Sequence, residues 1–132
     1  MKTQAVFLAS LMAAAVTTVS SAAPPTPAPR VTEVIVLDVG SHMQKLLEIA
    51  RKIDALGVKY HDAGKARIWQ SSLAGSDTGR VVVTIEYPSL LSYAQSDDRT
   101  RAGAAEYAPV FAELDASGIK ILSDSLVQEV PR

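Results

Sequence analysis

The chain of 132 residues contains no cysteine and no asparagine, and it has only two histidines. Without cysteine there is no disulfide, no lipoprotein attachment site, no thiolate catalysis and no Cys-containing metal motif. The two histidines, His42 and His61, lie too far apart in sequence to form a recognised metal-ligand spacing. We therefore predict a protein that binds neither a metal nor another cofactor.

An excess of one charge is also absent, since 13 Lys and Arg residues stand against 14 Asp and Glu residues. The chain has no cluster of basic residues interleaved with aromatics, and no basic amphipathic helix. This balance argues against a nucleic-acid partner and against a role at a membrane surface.

The amino-terminal segment, residues 1–22, is the most informative part of the sequence. It begins with Lys2, continues with an apolar stretch from Ala5 to Val16 and ends in small residues up to Ala22. This pattern is typical of a secretory signal peptide that is cleaved after Ala22. The alternative, an uncleaved anchor, is disfavoured because the apolar run is well short of the ~20 residues that a spanning helix needs. We predict a periplasmic or secreted protein with no stable membrane insertion after cleavage.

A proline-rich linker, residues 23–30, follows the predicted signal peptide. It holds four of the seven prolines of the chain and is expected to be an extended, solvated tether. The alternative is a ligand for a proline-reading module, but a simple spacer explains the composition better. The remaining segment, residues 31–130, is long enough for one hydrophobic core and too short for two domains.

Hydrophobic periodicity divides residues 31–130 into strands and helices. The β-branched run over 31–39 predicts a strand that is covered on both sides, and a Gly-rich turn at 75–79 predicts a hairpin. The predicted elements are a strand over 31–39, a helix capped by Ser41 that ends near Gly57 or Gly64, strands over 66–73 and 80–87, helices over 89–97 and 104–116, and a strand over 119–130.

This β-α-β-β-α-β order, with the second helix split in two, predicts an α+β, ferredoxin-like fold: a four-stranded antiparallel sheet with helices on one face. Strand alternation then places Arg67, Trp69, Thr84 and Glu86 on the opposite face, here called the outer face. Trp69, Leu73 and Val82, beside an apolar first strand, would form an exposed patch there. We therefore predict that a second subunit covers the outer face in a homodimer.

The passage from Val82 to Tyr93 carries a family resemblance, because the strand ends in the acidic-aromatic pair Glu86-Tyr87 and continues into a short helix capped by Ser89. With this passage, the order of elements and the length, residues 31–130 resemble the dimeric α+β barrel superfamily. That superfamily contains antibiotic-biosynthesis-monooxygenase-like, NIPSNAP-like and haem-degrading proteins. The resemblance implies a dimeric α+β barrel, in which two sheets face each other, and a small ligand between the sheet and the helices of each subunit.

The enzymes of this superfamily use asparagine with tryptophan, and histidine or arginine near the ligand, whereas this chain has no asparagine. Only Arg67 and Trp69 match those residues in type. The candidate ligand-binding residues are Arg67, Trp69, Thr84, Glu86 and His42.

In a ligand site, Arg67 would hold an anionic group, Trp69 would stack on the ligand, and Glu86 or His42 would move a proton. The simpler alternatives are an interface ion pair between Arg67 and Glu86, a tryptophan in the core or at a dimer contact, and a solvated histidine.

The sequence favours a small exported domain that binds a small apolar or aromatic ligand or serves as an accessory dimeric module. The alternative is a cofactor-independent, monooxygenase- or isomerase-like enzyme that acts on an aromatic metabolite. No nucleophile-base arrangement is visible in the sequence, so it identifies no catalytic residue and leaves open whether the protein is an enzyme.

Overall fold

The computed structural model describes residues 24–72 and 75–130. The predicted signal peptide and Leu73 lie outside these described residues. Residues 24–30 contain neither helix nor strand. Among the described helices, none has the length and apolar character needed to cross a membrane.

The described chain forms an α+β fold with one four-stranded antiparallel sheet and three α-helices. The strand order β2-β3-β1-β4 is consistent with the predicted ferredoxin-like arrangement. The elements are β1 (Val31–Asp38), α1 (Met43–Lys59), β2 (Lys65–Gln70), a 3₁₀ turn (Gly75–Asp77), β3 (Val81–Tyr87), α2 (Leu90–Ala102), α3 (Ala104–Ala116) and β4 (Lys120–Gln128).

Several element boundaries differ from the sequence prediction. The N-cap of α1 is His42 and not Ser41, which the sequence predicted. The reason is a turn just before the helix, in which the His42 N–H donates a hydrogen bond to the Val39 carbonyl. Helix α1 ends before His61, whose φ of 56° is left-handed and cannot continue a helix. Helix α2 continues beyond residue 97 to Ala102, since no glycine or proline interrupts it before residue 103.

The hydrophobic core lies between the sheet and the helices. It includes side chains from β1, β3 and α1 and from the residues just after β1 and just before β4, namely Leu37, Val81, Leu46, Val39 and Ile119. Ile35, Ile68 and Val83 pack against this cluster from the same side of the sheet. Because side chains alternate along a strand, this packing fixes which residues of each strand face away from the helices.

Ion pairs connect α3 to α1 along the surface of the helix layer. The Glu113 carboxylate accepts hydrogen bonds from Lys45 (3.1 Å) and Lys52 (2.7 Å), and the Glu106 carboxylate accepts one from Lys59 (2.5 Å). Each of these two carboxylates of α3 is therefore neutralised by lysine side chains of α1. The helix layer leaves the outer face and the edge strand β4 uncovered, and all nine residues of β4 are exposed.

Candidate functional site

The outer face is a regular grid of side chains, because the strand registers align three rows across all four strands. The first row is Lys65, Glu86, Thr32 and Val127; the second is Arg67, Thr84, Val34 and Ser125; the third is Trp69, Val82, Val36 and Ser123, each in the order β2, β3, β1, β4. The β2 column therefore carries the largest side chains and two positive charges. The β4 column carries two serines and a valine.

Two polar contacts link β2 to β3 within this grid. The Arg67 Nη1 atom lies 3.6 Å from Oε1 of Glu86, and the Trp69 indole N–H donates a hydrogen bond of 2.9 Å to the Thr84 hydroxyl. Both contacts join diagonal neighbours of an antiparallel pair, which long side chains can reach. The structure thus brings together the four outer-face residues that the sequence singled out.

The indole of Trp69 lies across the sheet toward β3, because its N–H bonds Thr84, and 52% of the residue remains exposed. Beside it, Arg67 and Glu86 are also partly exposed. A flat aromatic surface next to a guanidinium group suits a ligand that combines a ring with an anionic group.

A shallow cavity of about 320 Å³ opens at one corner of the outer face. Glu86, which pairs with Arg67, also lines this cavity. The other lining residues lie at the start of β1 and the end of β4: Arg30, Thr32, Val127, Gln128 and Glu129. The Glu129 N–H bonds the Arg30 carbonyl at 2.9 Å, so the two strands stay paired up to the rim of this cavity.

His42, the fifth candidate residue, lies apart from this group. His42 is the N-cap of α1, and its imidazole lies beside Gly118. It therefore belongs to the helix layer and not to the outer face. The structure therefore does not bring His42 together with Arg67, Trp69 and Glu86.

A second polar group lies on the helix side of the sheet, and sequence reasoning missed it. Glu33 takes the inward position between Val31 and Ile35 in β1, and it lies diagonally across from Asp124 of β4. Burial raises the pKa of the Glu33 carboxyl, and the negative charges of Asp124 and Asp62 raise it further. Its inward place in an otherwise apolar stripe was the available signal in the sequence.

Two tyrosines adjoin Glu33 on this helix side. The Tyr87 and Tyr93 rings meet edge to face with centroids 5.3 Å apart. The Glu33 charge raises the pKa of the Tyr93 hydroxyl, and burial raises the pKa of Tyr87 to about 12. Both phenols therefore stay protonated at neutral pH and can donate hydrogen bonds.

Asp62 links α2 to the segment after α1. Its Oδ2 accepts a 2.6 Å hydrogen bond from the buried Ser96 hydroxyl, and its Oδ1 accepts one of 2.9 Å from the Gly64 N–H. The Tyr87 hydroxyl lies 3.4 Å from the Ser96 hydroxyl. Because both oxygens of Asp62 have partners, this carboxylate has a structural role in placing α2 over β3.

Within the described ranges, no group of three His, Asp or Glu side chains is arranged to hold a metal ion. Comparison of the chain with protein-family models gives no match, and a search among curated proteins gives none either.

Proposed function

We propose that this protein is an exported accessory domain that works as a homodimer of the dimeric α+β barrel type and binds a small aromatic ligand at its outer face. The observation that carries the proposal is the pairing of a half-exposed Trp69 indole with the adjacent Arg67 guanidinium on an uncovered sheet.

The uncovered apolar surface supports the dimer. Val34, Val36 and Val82 form the middle of the outer face, and none of them is buried by the helices of its own chain. A patch of this kind, on a face that the helices leave uncovered, is stabilised when a second layer removes it from water. The facing of two sheets in the dimeric α+β barrels supplies such a layer.

The polar contacts of the outer face indicate the chemistry of the ligand. Trp69 offers a π surface whose orientation is held by Thr84, and Arg67 offers donors for a carboxylate or a phenolate. Glu86 neutralises Arg67 when no ligand is present. The ligand class that fits is an aromatic ring with one acidic group.

A thermal-shift and mass-spectrometric screen against aromatic acids, phenols, quinones and haem tests this proposal. We expect aromatic acids to raise the melting temperature of the parent protein and to remain bound without chemical change. Arg67→Ala and Trp69→Ala should each abolish the shift. Arg101→Ala, which removes an exposed arginine paired with Asp97 on α2, is the control and should keep it. Equal binding by all three variants would contradict the proposed site.

The helix-side group favours a second candidate function, a cofactor-independent enzyme acting on an aromatic metabolite. Glu33 has a raised pKa and adjoins two protonated tyrosines, which is the combination that general acid-base chemistry uses. Turnover of a screened compound that is lost in Glu33→Gln but kept in Glu86→Gln would support the enzyme. Binding without turnover would support the accessory domain.

Export is part of the proposal and rests on the pattern of residues 1–22. Amino-terminal sequencing of the protein recovered from an expressing cell should begin at Ala23. An intact amino terminus would contradict cleavage after Ala22.

A further inference from the structure

The residues of the outer-face grid favour one direction of the two-fold axis that would relate two copies of this sheet packed face to face. Two identical sheets that pack face to face are related by an axis that lies between them and in their plane. The strands of the two sheets are aligned, as in one of the common packings of facing sheets, when this axis runs along the strands or across them. If the axis runs along the strands, each row of one copy faces the same row of the partner, and the order of strands is reversed, so that β2 faces the partner's β4. If the axis runs across the strands, each strand faces the same strand of the partner, and the order of rows is reversed.

An axis across the strands opposes incompatible groups. It stacks the β2 column on itself, so that Arg67 meets the partner's Arg67 in the middle row. It also places the Glu86 carboxylate over the partner's Val82. Like charges directly opposite each other and a carboxylate on an apolar side chain both destabilise an interface.

An axis along the strands keeps the two Arg67 side chains apart and leaves a single charge over an apolar side chain, Lys65 over the partner's Val127 at the edge of the sheet. In the third row, Val82 meets the partner's Val36, and in the first row Glu86 meets the partner's Thr32, whose hydroxyl can donate to it. The large side chains of the β2 column, Arg67 and Trp69, then face the small serines of the β4 column. Large against small is the packing that lets two sheets approach to about 10 Å.

We infer that the second copy docks with its β4 over β2 of the first, about a two-fold axis parallel to the strands. This inference rests on the proposed homodimer and specifies its register. The site beside Trp69 is then built from two copies, since the partner's Ser123 and Ser125 form the wall opposite Arg67 and Trp69. Short serine side chains leave space over the half-exposed indole for the ring of a ligand.

The absence of cysteine makes this register testable by cross-linking. Within one chain, residues 67 and 125 lie in strands three spacings apart, about 14 Å. A bismaleimide shorter than that cannot join them inside one chain. The double variant Arg67→Cys/Ser125→Cys should therefore link only between copies, shifting the band in a denaturing gel to twice the mass of one chain. The single variants should stay at the mass of one chain, and an equal mixture of the two should give the doubled band.

A second pair in the next row, Trp69→Cys/Ser123→Cys, should behave in the same way. The control Arg67→Cys/Asp115→Cys places the second cysteine on the exposed surface of α3 and should give no doubled band. A doubled band from Arg67→Cys alone would overturn the inference in favour of the axis across the strands.

Light scattering of each unlinked variant separates the two possible failures. A dimer in solution that neither double variant cross-links overturns the register but keeps the proposed homodimer. A monomer, both in the variants and in the parent chain, overturns the homodimer and the register with it.

Discussion

At the scale of single residues, Gly64 is a position where the backbone approaches the sheet too closely for a side chain. A Cβ atom there would lie 2.8 Å from a ring carbon of Tyr87 and 2.9 Å from a methyl carbon of Ile85. Gly64→Ala should therefore lower the free energy of unfolding by about 1–3 kcal/mol, the usual cost of overpacking.

The matched control for this substitution is Gly57→Ala within α1. A Cβ atom at Gly57 would meet its nearest neighbour, a carbon of Asp62, at an ordinary 3.8 Å. Because alanine favours a helix over glycine, this change should stabilise the protein by up to about 1 kcal/mol. Chemical denaturation of both variants measures the contrast, and equal effects would contradict the close approach at Gly64.

Glu33 gives a prediction on pH. Burial and the charges of Asp124 and Asp62 raise the pKa of Glu33 above 4.5, its ordinary value. The stability that this group contributes is thus fully present below that ordinary value and is lost as pH rises through the raised pKa. Glu33→Gln should melt at a higher temperature than the parent at pH 7, and this gain should vanish in acid.

Glu113 is the control of opposite sign, because hydrogen bonds from Lys52 and Lys45 lower the pKa of its carboxyl. Its contribution is present above the ordinary value and is lost as pH falls through the lowered pKa. Glu113→Gln should therefore lower the melting temperature at pH 7. Melting curves in which the two variants shift in the same direction would contradict these opposite environments.

Strand alternation in the sequence was enough to predict which candidate residues share one face of the sheet. Arg67, Trp69, Thr84 and Glu86 share a face in the structure because each occupies the predicted parity of its strand. His42 lies outside any strand, so alternation gave no guide to its position.

At the scale of elements, α2 depends on its first residues. The Ser89 hydroxyl accepts a 3.1 Å hydrogen bond from the Ser92 N–H and so caps the helix, as predicted from the sequence. Ser89→Ala should cost about 1 kcal/mol of stability. The control Ser92→Ala keeps the capped N–H and should cost less; if both variants unfold at the same denaturant concentration, the cap does not hold α2.

The order and types of the elements could be predicted because the hydrophobic period changes between two and 3.6 wherever a strand and a helix meet, and Gly-containing turns mark the other junctions. The ends of α1 and α2 could not, because they depend on local geometry. The left-handed His61 ends α1, and the Asp97–Arg101 ion pair supports the last turns of α2. The helix-side group was also hidden, since Asp62, Ser96 and Tyr87 meet only through the packing of α2 on the sheet.

At the scale of the whole molecule, the proposed homodimer depends on the outer face. Trp69→Glu introduces a charge in the third row and should shift the protein from dimer to monomer, because a buried unpaired carboxylate is costly. Val58→Glu is the control, since Val58 is an exposed apolar residue on α1 and lies away from the sheet. It should leave the molar mass of the assembly unchanged, and a change equal to that of Trp69→Glu would indicate a different interface.

The molar mass of the parent protein in solution, measured by light scattering at micromolar concentration, decides whether a second copy covers the sheet. A homodimer built on the outer face predicts twice the mass of one chain, and the mass of one chain for Trp69→Glu that keeps the circular dichroism of the parent. A parent protein with the mass of one chain would contradict the claim that a second copy covers the sheet.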